Sequence, residues 1–492
     1  MINFSLSKKV SIIKSLRVKE FPSFLKDFVS IASALSFRTI SQFFSNYFAA
    51  LWLGPSDFGL WQGLKLILLY APGLNLGVNN AMYREIPILK GEDEEKNLSK
   101  INIIENTSFA FSLAMGAVIS FSLIGLSFFF SYRWYLRLIA IAVFLSYLNE
   151  FYGYYWRAHK SFQKVSKVES ISGIGSLITV GFVYLFRLIG VILGVIIQQI
   201  LTVFYYIKRS RREFNLFINI RTLLNLIKIG FPISAMVYAY QLFTTVDRLI
   251  ILKYLGKTAL GYYSLGSLAF VPIGMLFTSF NSVVYPRLGE LYGKVNKDPK
   301  KLKEIVFETI YVLSLIISPL VGFLILFLPL FVKVFLPQYM PGVKAADFLF
   351  ISLLLISVMG MASMLLLVTN RQMINLLNYL SAAIINGVVS IVIVKFGFGI
   401  EGVALGTLVA YFSYFLLTMS CAKKILNLSN LEFFKVVAKI LLPIFAITFA
   451  VLGLDSFVRL DFRIKIVIIL FLSSTFYLKS LKPINTIIKW SD

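Results

Sequence analysis

Charge is scarce in this chain. Only 14% of its 492 residues are Asp, Glu, Lys or Arg, against about 25% in soluble globular domains. That scarcity excludes a soluble enzyme and a disordered chain. Cysteine is nearly missing: Cys421 stands alone, so no intramolecular disulfide can form. The one histidine, His159, rules out a histidine-rich metal centre, and no metal or cofactor is expected. No G-x-x-x-x-G-K-[ST] loop is present to cradle the phosphates of ATP. The segment 1–26 mixes Lys8, Lys9, Lys14, Arg17, Lys19 and Lys26 with apolar residues. It lacks the apolar core and small-residue cleavage site of a removed signal, and reads as a basic amphipathic helix resting on the cytoplasmic leaflet.

What the chain has in abundance is apolar surface. The set AVILMFWYC makes up 58% of it, mean hydropathy is +0.82, and apolar runs of about 20 residues recur along the whole length. The fold class is therefore all-α integral membrane, with many spans. About fourteen helices are expected: 27–51, 58–83, 101–129, 136–158, 168–186, 188–207, 229–253, 261–285, 304–330, 346–368, 374–394, 399–420, 436–454 and 464–481. The net charge of +25 would suit nucleic acid, but its placement argues otherwise. Basic residues crowd every second connector: Arg84, Lys90, Lys96 and Lys100; then Arg157, Lys160, Lys164 and Lys167; then 208–228 and 287–303. That alternation puts both termini in the cytoplasm of a multi-pass protein of the cell (cytoplasmic or inner) membrane. Attraction to anionic membrane lipids follows as a by-product, and no nucleic acid partner is needed. The outer connectors are too short for an extracytoplasmic domain.

An internal repeat organises the spans. Leu53-Gly54-Pro55-Ser56-Asp57-Phe58-Gly59-Leu60-Trp61 matches Leu255-Gly256-Lys257-Thr258-Ala259-Leu260-Gly261-Tyr262-Tyr263 at an offset of 202 residues. The same offset sets Asn79 on Asn281 and Tyr83 on Tyr285. Further on, Gly190-Val191-Ile192-Leu193-Gly194 matches Gly402-Val403-Ala404-Leu405-Gly406 at an offset of 212. Six spans separate the copies, an even number, so both copies enter the membrane in the same sense. The expected organisation is a cytoplasmic segment 1–26, a six-helix bundle 27–207, a cytoplasmic linker 208–228, a parallel six-helix bundle 229–420, and an appendage 421–492 with two extra helices and a cytoplasmic tail. Transport would proceed by alternating access, one bundle rocking against the other around a cavity between them.

Three stretches carry a family resemblance. The turn L-G-P-S-D-F-G-L-W with the later A-M-Y-R-E-I-P-I-L-K-G-E resembles polysaccharide flippases. So do Gly230-Phe231-Pro232-Ile233 followed by V-D-R-L-I-I-L-K-Y-L-G-K-T-A-L-G-Y-Y-S, and the closing Val284-Tyr285-Pro286-Arg287-Leu288. The resemblance, over residues 25 to 420, is to the oligosaccharide-lipid exporters of the multidrug/oligosaccharidyl-lipid/polysaccharide (MOP) superfamily. It implies a MATE-like fold of twelve to fourteen helices and translocation of polyprenyl-diphosphate-linked glycans, such as O-antigen or other surface-polysaccharide repeat units. It also implies polysaccharide polymerases as partners, and a non-enzyme.

Polar residues within the spans are the candidate sites, because a charge in hydrocarbon costs several kcal/mol. Arg38, Gln42 and Asn46 share one face of the first span at i, i+4, i+8. Tyr240, Thr244 and Arg248 occupy the same places in the seventh, with Asp247 alongside. A guanidinium grips diphosphate oxygens in bidentate fashion and stays charged at any physiological pH. Arg38 and Arg248 are the expected head-group ligands, with Gln42, Asn46 and Lys65 beside them in the cavity. The bland alternatives are that Asp247 neutralises Arg248 and that Arg248 or Lys65 snorkels outward. In the fourth span, Glu150, Tyr154 and Arg157 share a face within an aromatic run. Tyr154 suits a sugar ring, and Glu150 or Asp247 suits coupling to H⁺ or Na⁺; against this stands an interfacial aromatic belt with an intrahelical Glu150–Arg157 pair. Glu105, Glu169, Glu308 and Asp347 read as anchors at span ends. Pro72 and Pro272 are candidate hinges. The alternatives to a glycan flippase are a multidrug or cation exporter, a lipid II-type flippase, and a membrane glycan polymerase.

Overall fold

A computed structural model of the chain describes the backbone of residues 3–210 and 212–453 and of positions 464, 467 and 468. Side chains are described for all of these except 3–28, 269–283, 285–286 and 452–453. The described residues are helical almost throughout: α1 (Asn3–Tyr70), α2 (Val78–Ser127), α3 (Arg133–Ala158), α4 (Phe162–Ser210), α5 (Ile220–Tyr254), α6 (Gly256–Lys294), α7 (Lys303–Phe335), α8 (Val343–Val368), α9 (Gln372–Lys395), α10 (Ile400–Leu426) and α11 (Asn430–Thr448). Among the described residues, nine helices are long and apolar enough to cross a membrane. Apart from positions 464, 467 and 468, the expected span 464–481 lies outside the described residues, and so do the side chains of the basic segment 1–26.

Several long helices contain a break that separates two expected spans. In α1 the break is Gly54, at φ 72°, a left-handed conformation that glycine adopts without a Cβ clash. In α2 it is the extended backbone of Asp93, within the charged run 91–96. In α4 it is Arg187, at φ 53°. Gly194 abuts Thr179, and Gly175 abuts Gln198, which folds the two arms of α4 back on each other as an antiparallel hairpin. The turn thus falls where two spans were expected to meet. Pro72 lies in a short 3₁₀ turn, Ala71–Asn75, followed by left-handed Leu76 and Gly77, so the second span is interrupted there. At Pro272 the backbone of α6 remains helical. The two proline positions therefore differ, and only Pro72 accompanies a broken helix.

Two compact units emerge: residues 1–48 with 67–234, and residues 49–66 with 235–492. The short piece 49–66 belongs to the second unit because the two copies of the L-G-x-x-x-φ-G motif pack on each other. A Cβ on Gly59 would run into the carbonyl of Lys257, and one on Gly261 into the carbonyl of Pro55. Tyr339 adds a hydroxyl bond of 2.9 Å to the Ala50 carbonyl. The second repeated motif has the same use within each unit. Gly194 admits Thr179 in the first, and Gly406 admits Ser390 in the second, the small-residue helix contact common in membranes.

In the first unit an aromatic core of Phe151, Tyr152, Tyr155, Trp156 and Tyr206 joins α2, α3 and α4. In the second, Ile251, Leu260, Tyr263, Ala345, Val403 and Ala404 join α5, α6, α8 and α10.

Candidate functional site

Each unit encloses a polar cavity. That of the first unit has a volume of about 270 Å³ and is lined from α1, α3 and α4. Arg38 of α1 forms an ion pair with Glu169, near the start of α4. Arg157, in the last turn of α3, reaches the other oxygen of the same carboxylate at 3.4 Å. Two guanidinium groups thus share one carboxylate that is only 8% exposed, leaving one positive charge in excess. Glu169 reads from the sequence as an end anchor; in the structure it is the hub of this triad. Arg157 does not pair with Glu150 along the helix.

Glu150 and Tyr154 line the same cavity one turn apart. The Asn79 amide faces Glu150, and Asn79 accepts a 3.1 Å bond from Ser112, which in turn accepts a 3.3 Å bond from Asn75. Tyr154 meets the ring of Tyr83 at 6.0 Å. Gln42 and Asn46 are not among the residues lining this cavity. The Asn46 amide instead donates back to the Gln42 carbonyl at 2.8 Å.

The cavity of the second unit, about 170 Å³, is lined from α5, α6, α8 and α10. Here the whole stripe Tyr240, Thr244 and Arg248 faces one space, with Asp247 beside it. Asp247 is 4% exposed, yet it does not neutralise Arg248 by a side-chain ion pair. Its Oδ1 accepts the backbone N–H of Arg248 at 2.8 Å, and its Oδ2 accepts the hydroxyls of Tyr263 and, at 3.1 Å, Thr407. Thr407 also approaches Asn386 Oδ1 at 3.5 Å, which takes a 3.0 Å bond from Ser390. An oxygen-rich cluster therefore surrounds the carboxylate. Lys65 lies within electrostatic reach of Arg248. Neither cation has a carboxylate partner within 4.0 Å among the described residues.

A further polar cluster of the first unit was not expected from the sequence. Glu105 is fully buried and pairs with Arg212 and, at 2.8 Å, with His159 Nε2. Lys90 Nζ donates to His159 Nδ1 at 3.0 Å. An ammonium only donates, so Nδ1 is the acceptor and the imidazole proton sits on Nε2, aimed at Glu105. This cluster ties the coil 212–219 to α2 and to the end of α3; Asn215 and Asn219 add backbone bonds to Asn106 and Thr107 at 3.2 and 3.3 Å. Asn375 and Asn378, near the start of α9, donate to the Ser363 carbonyl and the Thr418 hydroxyl at 3.2 and 3.4 Å. Among the described residues no group of three His, Cys, Asp or Glu side chains could hold a metal ion.

Comparison with known proteins decides the family. The sequence profile described as polysaccharide biosynthesis protein matches residues 50–343, more than half of the chain. The chain belongs to that family. No curated protein matches the chain in sequence. Among solved structures, the lipid II flippase MurJ in an inward closed conformation superposes with a TM-score of 0.70 at 17% identity, covering 91% of this chain and 98% of that one. An inward-facing multidrug resistance MATE family transporter of the MOP superfamily gives a TM-score of 0.64 at 18% identity, covering 80% and 96%. A MOP superfamily transporter from Pyrococcus furiosus, described by the reversed polarity of its binding pocket, gives 0.56 at 17% identity, covering 84% and 96%. This polysaccharide biosynthesis family member therefore has the MOP superfamily fold and is a multi-pass membrane protein.

Proposed function

We propose that the protein is a non-enzymatic flippase. It moves a polyprenyl-diphosphate-linked oligosaccharide, a repeat unit of O-antigen or another surface polysaccharide, across the cytoplasmic membrane by alternating access. The observation that carries this reading is the pair Arg248 and Lys65: two cations close together, without ion pairs, beside a cavity edged by Tyr240 and Thr244. Two unneutralised cations inside a membrane protein call for an anionic cargo, and a diphosphate supplies the charge. In the first unit the triad of Arg38, Glu169 and Arg157 carries one positive charge in excess beside Glu150, with Tyr154 in the same cavity to stack on sugar. A cationic drug would favour free carboxylates instead. Asp247 and Glu169 are both engaged by donors, which leaves Glu150 to a cationic drug and ranks the drug exporter lower.

Asp247 is the preferred ion-coupling group, because its oxygens meet those of Tyr263 and Thr407, with Asn386 reached through Thr407, in one small space suited to H⁺ or Na⁺. Glu150 is the second choice. The glycan delivered to the outer leaflet would then pass to a polysaccharide polymerase.

Proteoliposomes carrying a polyprenyl-diphosphate oligosaccharide test the reading directly, with the leaflet of the glycan read by an impermeant probe and an ion gradient applied or withheld. Wild-type protein should flip the substrate, and Arg248→Ala with Lys65→Ala should stop it. Equal flipping by the double variant would discard the site. Transport of lipid II alone would move the protein to the peptidoglycan class, and glycan lengthening by the purified protein would make it a polymerase.

A further inference from the structure

The first unit holds a second, larger cleft that shares no lining residue with either cavity described above. Its volume is about 670 Å³, and it is lined from both arms of α2, on either side of Asp93, and from the first turns of α5. Four charged side chains line it: Lys100, Arg221, Lys228 and Glu85. None forms an ion pair among the described residues, which leaves two positive charges in excess. Neighbouring cations of the same unit are treated differently. Arg212 is held by Glu105, and Lys90 by Glu94 at 2.9 Å.

The placement of these charges relative to the apolar runs is informative. Lys100 and Lys228 each stand one residue before a run expected to span the membrane, from 101 and from 229. That is the level of lipid head groups. Arg221 and Lys228 lie two turns apart on one face of α5, with Asn225 between them. Beyond the charges the wall turns apolar, with Ile103 and Ile104 on α2 and Leu224, 62% exposed, on α5.

We propose that this cleft binds an anionic glycerophospholipid of the surrounding bilayer, with a hydroxyl-bearing head group such as that of phosphatidylglycerol. The phosphodiester sits among Arg221, Lys228 and Lys100, where the guanidinium offers a planar fork and the ammonium groups add point charges. Glu85 and Asn225 accept hydrogen bonds from the glycerol hydroxyls, a use for the one carboxylate in a cationic cleft. The acyl chains run along Ile103, Ile104 and Leu224. A soluble anion would have no use for that apolar wall. The lipid-diphosphate cargo is disfavoured because the cleft shares no residue with the two cavities assigned to it.

The test is native mass spectrometry of the full-length protein in neutral detergent, titrated with phosphatidylglycerol or with phosphatidylcholine of the same acyl chains. Wild type should prefer phosphatidylglycerol. Arg221→Gln with Lys228→Gln should lower that preference roughly thirtyfold, at about one kcal/mol per cation near a lipid surface. Arg221→Lys with Lys228→Arg should keep most of it, and Arg248→Gln should leave it unchanged. If the Gln double variant does not fold, the exposed Lys100→Gln supplies the same reading with a smaller drop. Retention of the full preference by a folded Gln double variant would overturn the proposal. So would displacement of phosphatidylglycerol by equimolar polyprenyl diphosphate, which would put the cleft on the cargo's path. Equal competition by inorganic phosphate would overturn it as well, since no lipid would then be required.

Discussion

The two units treat buried carboxylates in opposite ways. In the first, Glu169 is gripped by two cations, Arg38 and Arg157, and Glu105 by the cation Arg212 together with the N–H of His159. In the second, Asp247 is satisfied by a backbone N–H and two hydroxyls, and the adjacent Arg248 forms no ion pair among the described residues. The difference bears on function. A carboxylate that takes neutral donors leaves the nearby guanidinium available to a ligand, whereas one that takes cations withdraws them. The repeat makes Arg38 and Arg248 members of equivalent stripes, yet their environments separate them into a largely structural arginine and a free one.

The largest expected effect breaks the ionic side of this comparison. Removing one partner of a buried pair leaves an uncompensated charge and costs about 3–5 kcal/mol. Glu105→Ala should therefore destabilise the protein by about that much, because it strands Arg212 and removes the acceptor of His159. Thermal unfolding in detergent should show a large downward shift. The same measurement on Asp247→Asn should show a far smaller one, since the amide oxygen can keep the Arg248 N–H bond while the amide NH2 donates to the hydroxyls of Tyr263 and Thr407, which can turn to accept. Equal losses in the two variants would erase the distinction between the units.

Next in size is the contrast between the two stripe arginines. Arg248→Ala should lower flipping by about 1.5–3 kcal/mol of lost charged hydrogen bonding, roughly ten- to hundredfold, with little change in stability. Arg38→Ala should show the reverse emphasis: a lower unfolding temperature, because Glu169 keeps only the 3.4 Å contact of Arg157, and a milder loss of transport. A stable Arg38→Ala protein with abolished flipping would mean that the triad serves cargo rather than fold. Asp247→Asn sharpens the same comparison from the other side. It should keep binding to the anionic cargo and lose the dependence of flipping on an ion gradient. Unaltered gradient dependence would pass the coupling role to Glu150.

Much of the architecture was legible before any coordinates. Hydropathy runs are local, and the helices fall where the runs are, with breaks at Gly54, Asp93 and Arg187 between them. The repeat also signalled contacts: the glycines of its first motif turn out to touch one another, and those of its second admit Thr179 and Ser390. Charge pairing was not legible. Glu169 lies 131 residues from Arg38, and Glu105 lies 54 from His159. Which carboxylate meets which cation depends on how each helix is rotated about its own axis against its neighbours. A periodicity within one helix says nothing about that rotation. For the same reason Glu150 and Arg157, two turns apart on one face of α3, do not pair, and Arg157 meets Glu169 of the next helix instead. The Asp247 cluster was half visible: the carboxylate stood out by its depth, whereas Tyr263, Thr407 and Asn386 come from three other helices with no shared motif.

The smallest expected effect concerns the aromatic contribution of the first unit. Tyr154 lines its cavity one turn from Glu150, with its ring tilted against Tyr83. Tyr154→Phe keeps the ring and removes only the hydroxyl, at a cost of about 0.5–1.5 kcal/mol if that group bonds the sugar. Tyr154→Ala removes the stacking face as well, so its loss should be the greater. If stacking carries the contribution, flipping by the Phe variant should stay within about threefold of wild type, while the Ala variant falls further, most visibly for substrates with longer glycans. A bare polyprenyl diphosphate offers no sugar face and should not distinguish the two variants. Were it to distinguish them, Tyr154 would be acting on the helix packing of α3 rather than on cargo, and the first unit would have no demonstrated hold on the glycan.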